Sequence, residues 1–251
     1  AWAHFAGTDG GVNSALKCLL DEAGATPHYE RRVASIDAQG SQWRVRPFDG
    51  PTENFDAVVI AVPGCGWGND NLNKIHGGWE GLIGAECNRR LKTPEHDHRF
   101  AVVLFLSAEY VELCDKFFGP SAIEKQIDDD MVHLLAYQSR KTAVASGTKN
   151  ASAVIVAHTT HKYSSENRNA GGKDRWFLDA VAERVLYGHL GLARNLRINR
   201  VVQGSKVITW KQCQVTKAIE GSGEFPRCQP LSDSPALVLA GDYFTQSNFS
   251  G

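Results

Sequence analysis

The sequence predicts an α/β (α+β) chain in which an incomplete Rossmann-like domain is interleaved with a second domain built on a mainly antiparallel sheet. Three observations carry this. Residues 55–62 (FDAVVIAV) and 236–240 are apolar runs; the first suits a strand buried on both faces, and the second leads into Gly241-Asp242 and a turn-rich end. Between them, residues 99–107, 131–138 and 151–159 read as long strands separated by polar connections, the pattern of an antiparallel sheet with one exposed side. The order of elements then takes the chain out of one domain and back. It assigns residues 8–63 and 213–251 to the Rossmann-like domain, and residues 1–7 and 64–212 to the other.

Taken in order, residues 2–5 suit a short strand. Gly10-Gly11 break the chain before a helix in which Val12, Ala15, Leu16, Leu19 and Leu20 recur at helical spacing, with Gly24 as its stop. Strands follow at 29–36 and 43–46, and Asp49-Gly50-Pro51 turns the chain into the apolar run at 55–62. Residues 64–71 (GCGWGNDN) form a loop whose glycines miss the G-x-G-x-x-G spacing of a phosphate-binding turn. His96-Asp97-His98 reads as a solvated entry to the next strand, and Asp128-Asp129-Asp130 as a solvated turn. Residues 164–172 read as a polar, mobile connection. Residues 172–190 predict a helix with Trp176, Phe177, Ala180, Val181, Val185 and Leu186 as its apolar stripe. A strand at 201–210 and a Gly-, Pro- and Ser-rich loop at 220–234 complete the pattern.

The bulk properties are those of an ordinary globular protein. The chain has 251 residues, 42% of them hydrophobic and 22% charged, with a formal net charge of −1, so no field favours nucleic acid. The longest apolar runs fall short of a membrane span, and the N-terminal residues lack the pattern of a signal peptide, which predicts a cytoplasmic protein with no membrane partner. The one Met is internal, Met131, and both ends cut through predicted structure, so the chain reads as a fragment. Six scattered cysteines without a C-x-x-C pair argue for reduced thiols and against a zinc ribbon, and no metal site is expected. Two glycosylation sequons, at Asn150 and Asn248, read as chance matches.

The closing residues 241–251 (GDYFTQSNFSG) resemble the C-terminal flavin motif of the renalase family, FAD-dependent oxidases related in fold to the flavin amine oxidases. Residues 4–25, ERRVASI with WRV, FDAVVIAVP, RFAVVLF, VIVAHTT and ITWKQCQVTKA resemble further family segments in the same order. The family's N-terminal G-x-G-x-x-G unit and its closing helix are not among these residues. The resemblance implies that Asp242 accepts hydrogen bonds from the ribityl chain of FAD, with Gly241 letting the backbone approach. Read from its neighbours alone, Asp242 also suits a helix N-cap. It implies that Phe244, Ser247, Asn248 and Phe249 line the flavin ring or offer it backbone N–H groups. Val33 would meet the adenine end through its backbone, although the residue by itself reads as an ordinary strand valine. Ala61, Val62 and Pro63 would lie where a cofactor sits beyond strand C-termini.

For the substrate, the resemblance points to Trp210 as a pocket indole that sandwiches a flat ring, to His158 as a polar contact, and more loosely to Ser139. Trp210 equally suits a core position, and His158 a structural histidine. No dyad or triad is visible, so the flavin would carry the chemistry and no catalytic side chain is expected. The implied activity is oxidation of isomeric dihydro-NAD(P) by oxygen, giving NAD(P)+ and hydrogen peroxide. A flavin amine oxidase-like enzyme and a truncated chain without activity are the alternatives.

Overall fold

The computed structural model describes residues 12–61, 85–86, 89–91, 93–150, 152–170, 174–211, 213–219, 228–241 and 244, with residues 12–16 and 145 described by their backbone alone. The expected strand at 2–5, the loop at 64–71 and the expected cofactor contacts Val62, Pro63, Asp242, Ser247, Asn248 and Phe249 lie outside the described residues.

The strands are β1 (Val33–Gln39), β2 (Gln42–Pro47), β3 (Glu53–Phe55), β4 (Ala57–Ile60), β5 (Glu95–His96), β6 (Arg99–Leu106), β7 (Glu124–Gln126), β8 (Val132–Tyr137), β9 (Ala153–Thr159), β10 (Val202–Trp210), β11 (Val215–Lys217), β12 (Cys228–Asp233) and β13 (Ala236–Ala240). The helices are α1 (Val12–Glu22), α2 (Val111–Phe118), α3 (Gln138–Ser146), α4 (His161–Glu166), α5 (Arg175–Glu183) and α6 (Ile198–Val201). The chain divides into two compact units, each discontinuous in sequence: Ala1–Thr26 with His98–Lys211, and Pro27–Asp97 with Gln212–Gly251. The fold is thus the mixed α/β class expected, with a mainly antiparallel sheet in the first unit. Among the described residues no helix is long and apolar enough to cross a membrane.

In the first unit five antiparallel strands run in the order β10-β6-β9-β8-β7. Period-2 patterning decides which side is covered. Phe100, Val102, Leu104 and Leu106 of β6 and Ala153, Ile155, Ala157 and Thr159 of β9 all point to one face and are buried. There they meet Cys114 and Phe118 of α2, Phe177 and Val181 of α5, and Val185 and Leu186. The hydroxyl of Thr159 extends the ladder, accepting from the Phe100 N–H at 2.9 Å, and it meets the Ser164 hydroxyl at 2.6 Å.

Several expectations are corrected here. The helix at 172–190 is α5 followed by a π-helical turn, Arg184–His189, and Trp176 is 57% exposed instead of joining the apolar stripe. The polar connection expected at 164–172 begins inside a helix: residues 164–166 are the end of α4, which is N-capped by the Thr160 side chain accepting from the Tyr163 N–H at 3.1 Å. Helices α2 and α3 have no counterpart in the sequence reading. Asp129 is no solvated turn residue: its carboxylate accepts from the Met131 and Val132 N–H groups and pairs with Arg184 and His189. Burial opposes its ionisation, but those two backbone donors and the charges of Arg184 and His189 outweigh it, so its carboxyl sits below the usual range.

The second unit is built on smaller sheets, β1-β2-β3 and β12-β13-β4, with the two-stranded pair β11-β5. Ile36, Trp43, Ile60, Leu91, Val215, Ile219, Leu237, Leu239 and Phe244 form its core. The Trp43 indole N–H donates to the Ala236 carbonyl at 2.9 Å, tying the first sheet to the second. Two expectations fail in this unit. The supposed loop at 220–234 contains β12, which pairs antiparallel with β13. The apolar run at 57–60 is not buried on both faces: among the described residues β4 pairs only with β13, and Val59 is 64% exposed. His96, Asp97 and His98 are all buried, against the expected solvated entry. Asp97 exchanges backbone hydrogen bonds with Gln214 and Cys213, and its carboxylate accepts from the Gln214 N–H at 3.0 Å.

Candidate functional site

The uncovered face of the five-stranded sheet gathers the first set of candidates. Cross-strand partners share a face, and the register pairs Trp210 with Arg99, Ile208 with Ala101, Ala101 with His158, and His158 with Leu134. One end of this face therefore carries, side by side, an indole, a guanidinium, an imidazole and three apolar side chains. Trp210 is 50% exposed, so its ring is available as a flat surface and is not a core tryptophan. A register shift between Val132 and Leu134 brings His133 into the same group.

The polar groups are coupled. Arg99 Nη1 lies 3.1 Å from His133 Nε2, and His133 Nδ1 lies 3.3 Å from the His158 carbonyl oxygen. Arg99 Nη1 also lies 3.2 Å from His133 Nδ1, and since arginine only donates, the guanidinium serves whichever ring nitrogen carries the lone pair. Burial, with the neighbouring His133 and Arg99 adding to it, pulls His158 down to about 4 from its ordinary value of 6.5, so its ring is neutral near pH 7. Among the described residues, the carboxylate that the register puts on this face is Glu124, on the outermost strand β7 and opposite Ala136. Sequence reasoning missed Arg99 and His133. Both are polar residues in otherwise apolar strands, and only the register and the bulge bring them together.

Ser139 is not part of this group. It starts α3, and its hydroxyl donates to the Ser152 carbonyl at 2.7 Å and accepts from the Val154 N–H at 3.1 Å. Val154 pairs with Phe105, four residues along β6 from Ala101, so Ser139 marks the opposite end of the sheet.

The second set lies in the second unit. Strands β13 and β4 are parallel, with Leu239 opposite Ile60, so Ala240-Gly241 and Ala61 continue side by side from their C-terminal ends. Ala61 is exposed and Gly241 half-buried. Small residues at the C-terminal crest of parallel strands leave the room that a dinucleotide's backbone contacts require, so these positions fit the sugar-phosphate part of FAD. Phe244 is 4% exposed and joins the core with Ile60, Leu237 and Leu239; its N–H donates to the Gly241 carbonyl at 3.4 Å. Its ring is thus committed to packing. Val33 opens β1 opposite Pro47, which has no N–H, and the register shifts just after it. The regular ladder is broken where the resemblance called for backbone contacts to adenine. Among the described residues, no three His, Cys, Asp or Glu side chains are grouped to hold a metal ion.

No family model matches the chain. It is similar to renalase from Mus musculus, with 24% identity over 244 residues, covering 96% of this chain and 64% of that protein. Among solved structures it is similar to an oxidoreductase from Methanosarcina mazei, at 12% identity and a TM-score of 0.54 over 93% of this chain and 48% of the other. It is likewise similar to cyclohexylamine oxidase from Brevibacterium oxydans, at 14% identity and a TM-score of 0.55 over 94% of this chain and 48% of the other. The chain thus spans about two thirds of the renalase it matches and about half of these solved structures, with which it shares its fold.

Proposed function

We propose that this chain works as part of an FAD-dependent oxidoreductase of the renalase type, which oxidises isomeric dihydro-NAD(P) with oxygen and releases NAD(P)+ and hydrogen peroxide. The observation that carries the choice of substrate is the charge of the Trp210 face. An alkylammonium substrate needs a carboxylate or an aromatic cage. This end offers one indole, the cation Arg99 and the neutral ring of His158. That set repels an amine and suits a flat heterocycle carried on an anionic pyrophosphate.

In this reading Gly241 and Ala61 hold the cofactor at the crest of β13 and β4, with Asp242, Val62, Pro63, Ser247, Asn248, Phe249 and the backbone of Val33 as further contacts. When bound, FAD supplies the redox chemistry, taking two electrons from the substrate and passing them to oxygen. The protein's own residues orient. Trp210 fixes the plane of the substrate ring, and Ile208, Ala101 and Leu134 exclude water from its edge. His158 offers a hydrogen bond without a charge, while Arg99 draws the anion. No side chain has to move a proton.

Anaerobic mixing of the purified protein with dihydronicotinamides reduced at the wrong ring carbon tests the proposal. The flavin absorbance is expected to bleach, and to return when air is admitted. Bleaching by cyclic or aryl amines, with none by dihydronicotinamides, would replace this reading with an amine oxidase-like one.

A further inference from the structure

Strand β8 breaks the alternation that β9 keeps. Val132 is buried, His133 and Leu134 are both half-buried, and Leu135 and Tyr137 are buried again. The ladder shows why. Val132 pairs with Thr159 and Leu134 with His158, so one residue of β8 has no partner of its own on β9. That residue is His133, the extra member of a β-bulge. Without it, every other pair of the two strands would keep its register and its side of the sheet. The bulge is also held in place. The Asp129 carboxylate accepts from the Met131 and Val132 N–H groups just ahead of it. The Asp130 and Met131 carbonyls accept from the Thr160 hydroxyl at 2.7 Å and the Thr160 N–H at 2.9 Å, and the His133 carbonyl accepts from the Ile127 N–H at 2.8 Å. The buried core draws nothing from the imidazole, which meets the Arg99 guanidinium instead.

We infer that the bulge serves the substrate face, and that His133 is a positioning residue which draws the Arg99 guanidinium across β9 and keeps it off Trp210. The inference rests on the dihydronicotinamide reading above and deepens it. In the strand order β10-β6-β9-β8, Trp210 lies on one side of Arg99 and His133 on the other, two strand spacings or about 10 Å away. A guanidinium next to an indole has a second favourable place, over the face of the ring. There it would cover the flat surface that the substrate ring needs. Held at His133, it leaves the Trp210 indole half-exposed. Platform and charge are thus kept apart, as a flat ring linked to a pyrophosphate requires.

The test is a double-variant cycle on the purified, flavin-loaded protein, read by two measurements. The first is the indole N–H signal of Trp210 in a nitrogen–proton NMR spectrum, identified by its loss in Trp210→Phe. Strand β8 lies three strand spacings, about 14 Å, from β10, so the imidazole itself is remote from the indole. His133→Ala is expected to move the signal, but to leave it in place when Arg99→Gln is already present. His133→Gln, which keeps an acceptor for the guanidinium, should restore it. The second measurement is steady-state kinetics. His133→Ala should raise KM for the dihydronicotinamide dinucleotide about tenfold, an effect on KM and not on kcat, and add nothing to the rise caused by Arg99→Gln. A signal that His133→Ala leaves unmoved overturns the inference, as do additive effects on KM. His133→Leu repeats both measurements if alanine unsettles the strand. A signal that follows Arg99, on a flavin that no dihydronicotinamide reduces, keeps the positioning role and removes the proposed reaction.

Discussion

The five-stranded sheet of the first unit and the small mixed sheet of the second are built on opposite plans. In the first, burial alternates along β9, and along β6 with the exception of Ala101, and one face is sealed by Phe118, Phe177, Val181 and Leu186. In the second, β4 is uniformly apolar yet, among the described residues, pairs on one side only and leaves Val59 exposed, and a few large residues such as Trp43 bind separate sheets together. Alternation tells which side of a strand is buried. A continuous apolar run tells only that a strand can be buried, and its neighbours decide whether it is.

The sharpest way to break this contrast is to cut the sealed core. Phe177 is fully buried, with Phe100 at 4.5 Å and Tyr163 at 5.7 Å between ring centroids. Phe177→Ala should cost about 3–5 kcal/mol in urea unfolding. Val59→Thr in the second unit should change stability by less than about 0.5 kcal/mol; an equal loss in both would erase the distinction.

Next in size is the polar staple behind the same sheet. The Arg140 guanidinium pairs with Asp115, donates to the carbonyls of Gly119 and Ala122, and lies 4.8 Å from the centroid of the Tyr137 ring. Arg140→Met should cost roughly 2–3 kcal/mol, since charge-assisted donors are lost and two carbonyls go unmet. Burial pushes the adjoining Cys114 thiol up to about 12, and iodoacetamide should leave it unmodified in the folded protein at pH 8.

The open face has its own signature. His158 titrates near 4 in the folded chain and near 6.5 when unfolded. The unfolded chain therefore binds the extra proton between those values, and stability falls as pH drops from about 6.5 towards 4. The loss contributed by this ring is on the order of 3 kcal/mol, and His158→Gln should flatten that part of a pH series of unfolding midpoints. The smallest effect on folding is expected at Trp210. Half-exposed, it should cost about 1 kcal/mol or less as Trp210→Ala, while weakening dihydronicotinamide binding about tenfold.

What was legible in the sequence follows the same division. The strands at 99–107, 131–138, 151–159 and 201–210 were placed within two residues of their observed ends, because they are long apolar runs bounded by polar connections. Helix α3 was hidden because Gln138–Ser146 has almost no apolar stripe, and β12 because Pro230 and Ser232 disguise an edge strand. Within the candidate site, Trp210 and His158 were named from resemblance, and the structure sets them on one face, on the two strands that flank β6. Arg99 and His133 were not named, since their grouping depends on cross-strand register and on a bulge, neither of which a single sequence displays. Ser139 was named with them, but the ladder puts it at the far end.

The bond from Trp43 to the Ala236 carbonyl joins residues 193 positions apart. Synthesis therefore exposes the indole 193 residues before its partner. In the meantime the whole of the first unit's sheet has been synthesised and can fold locally, while the earlier hairpins wait with an unsealed apolar side.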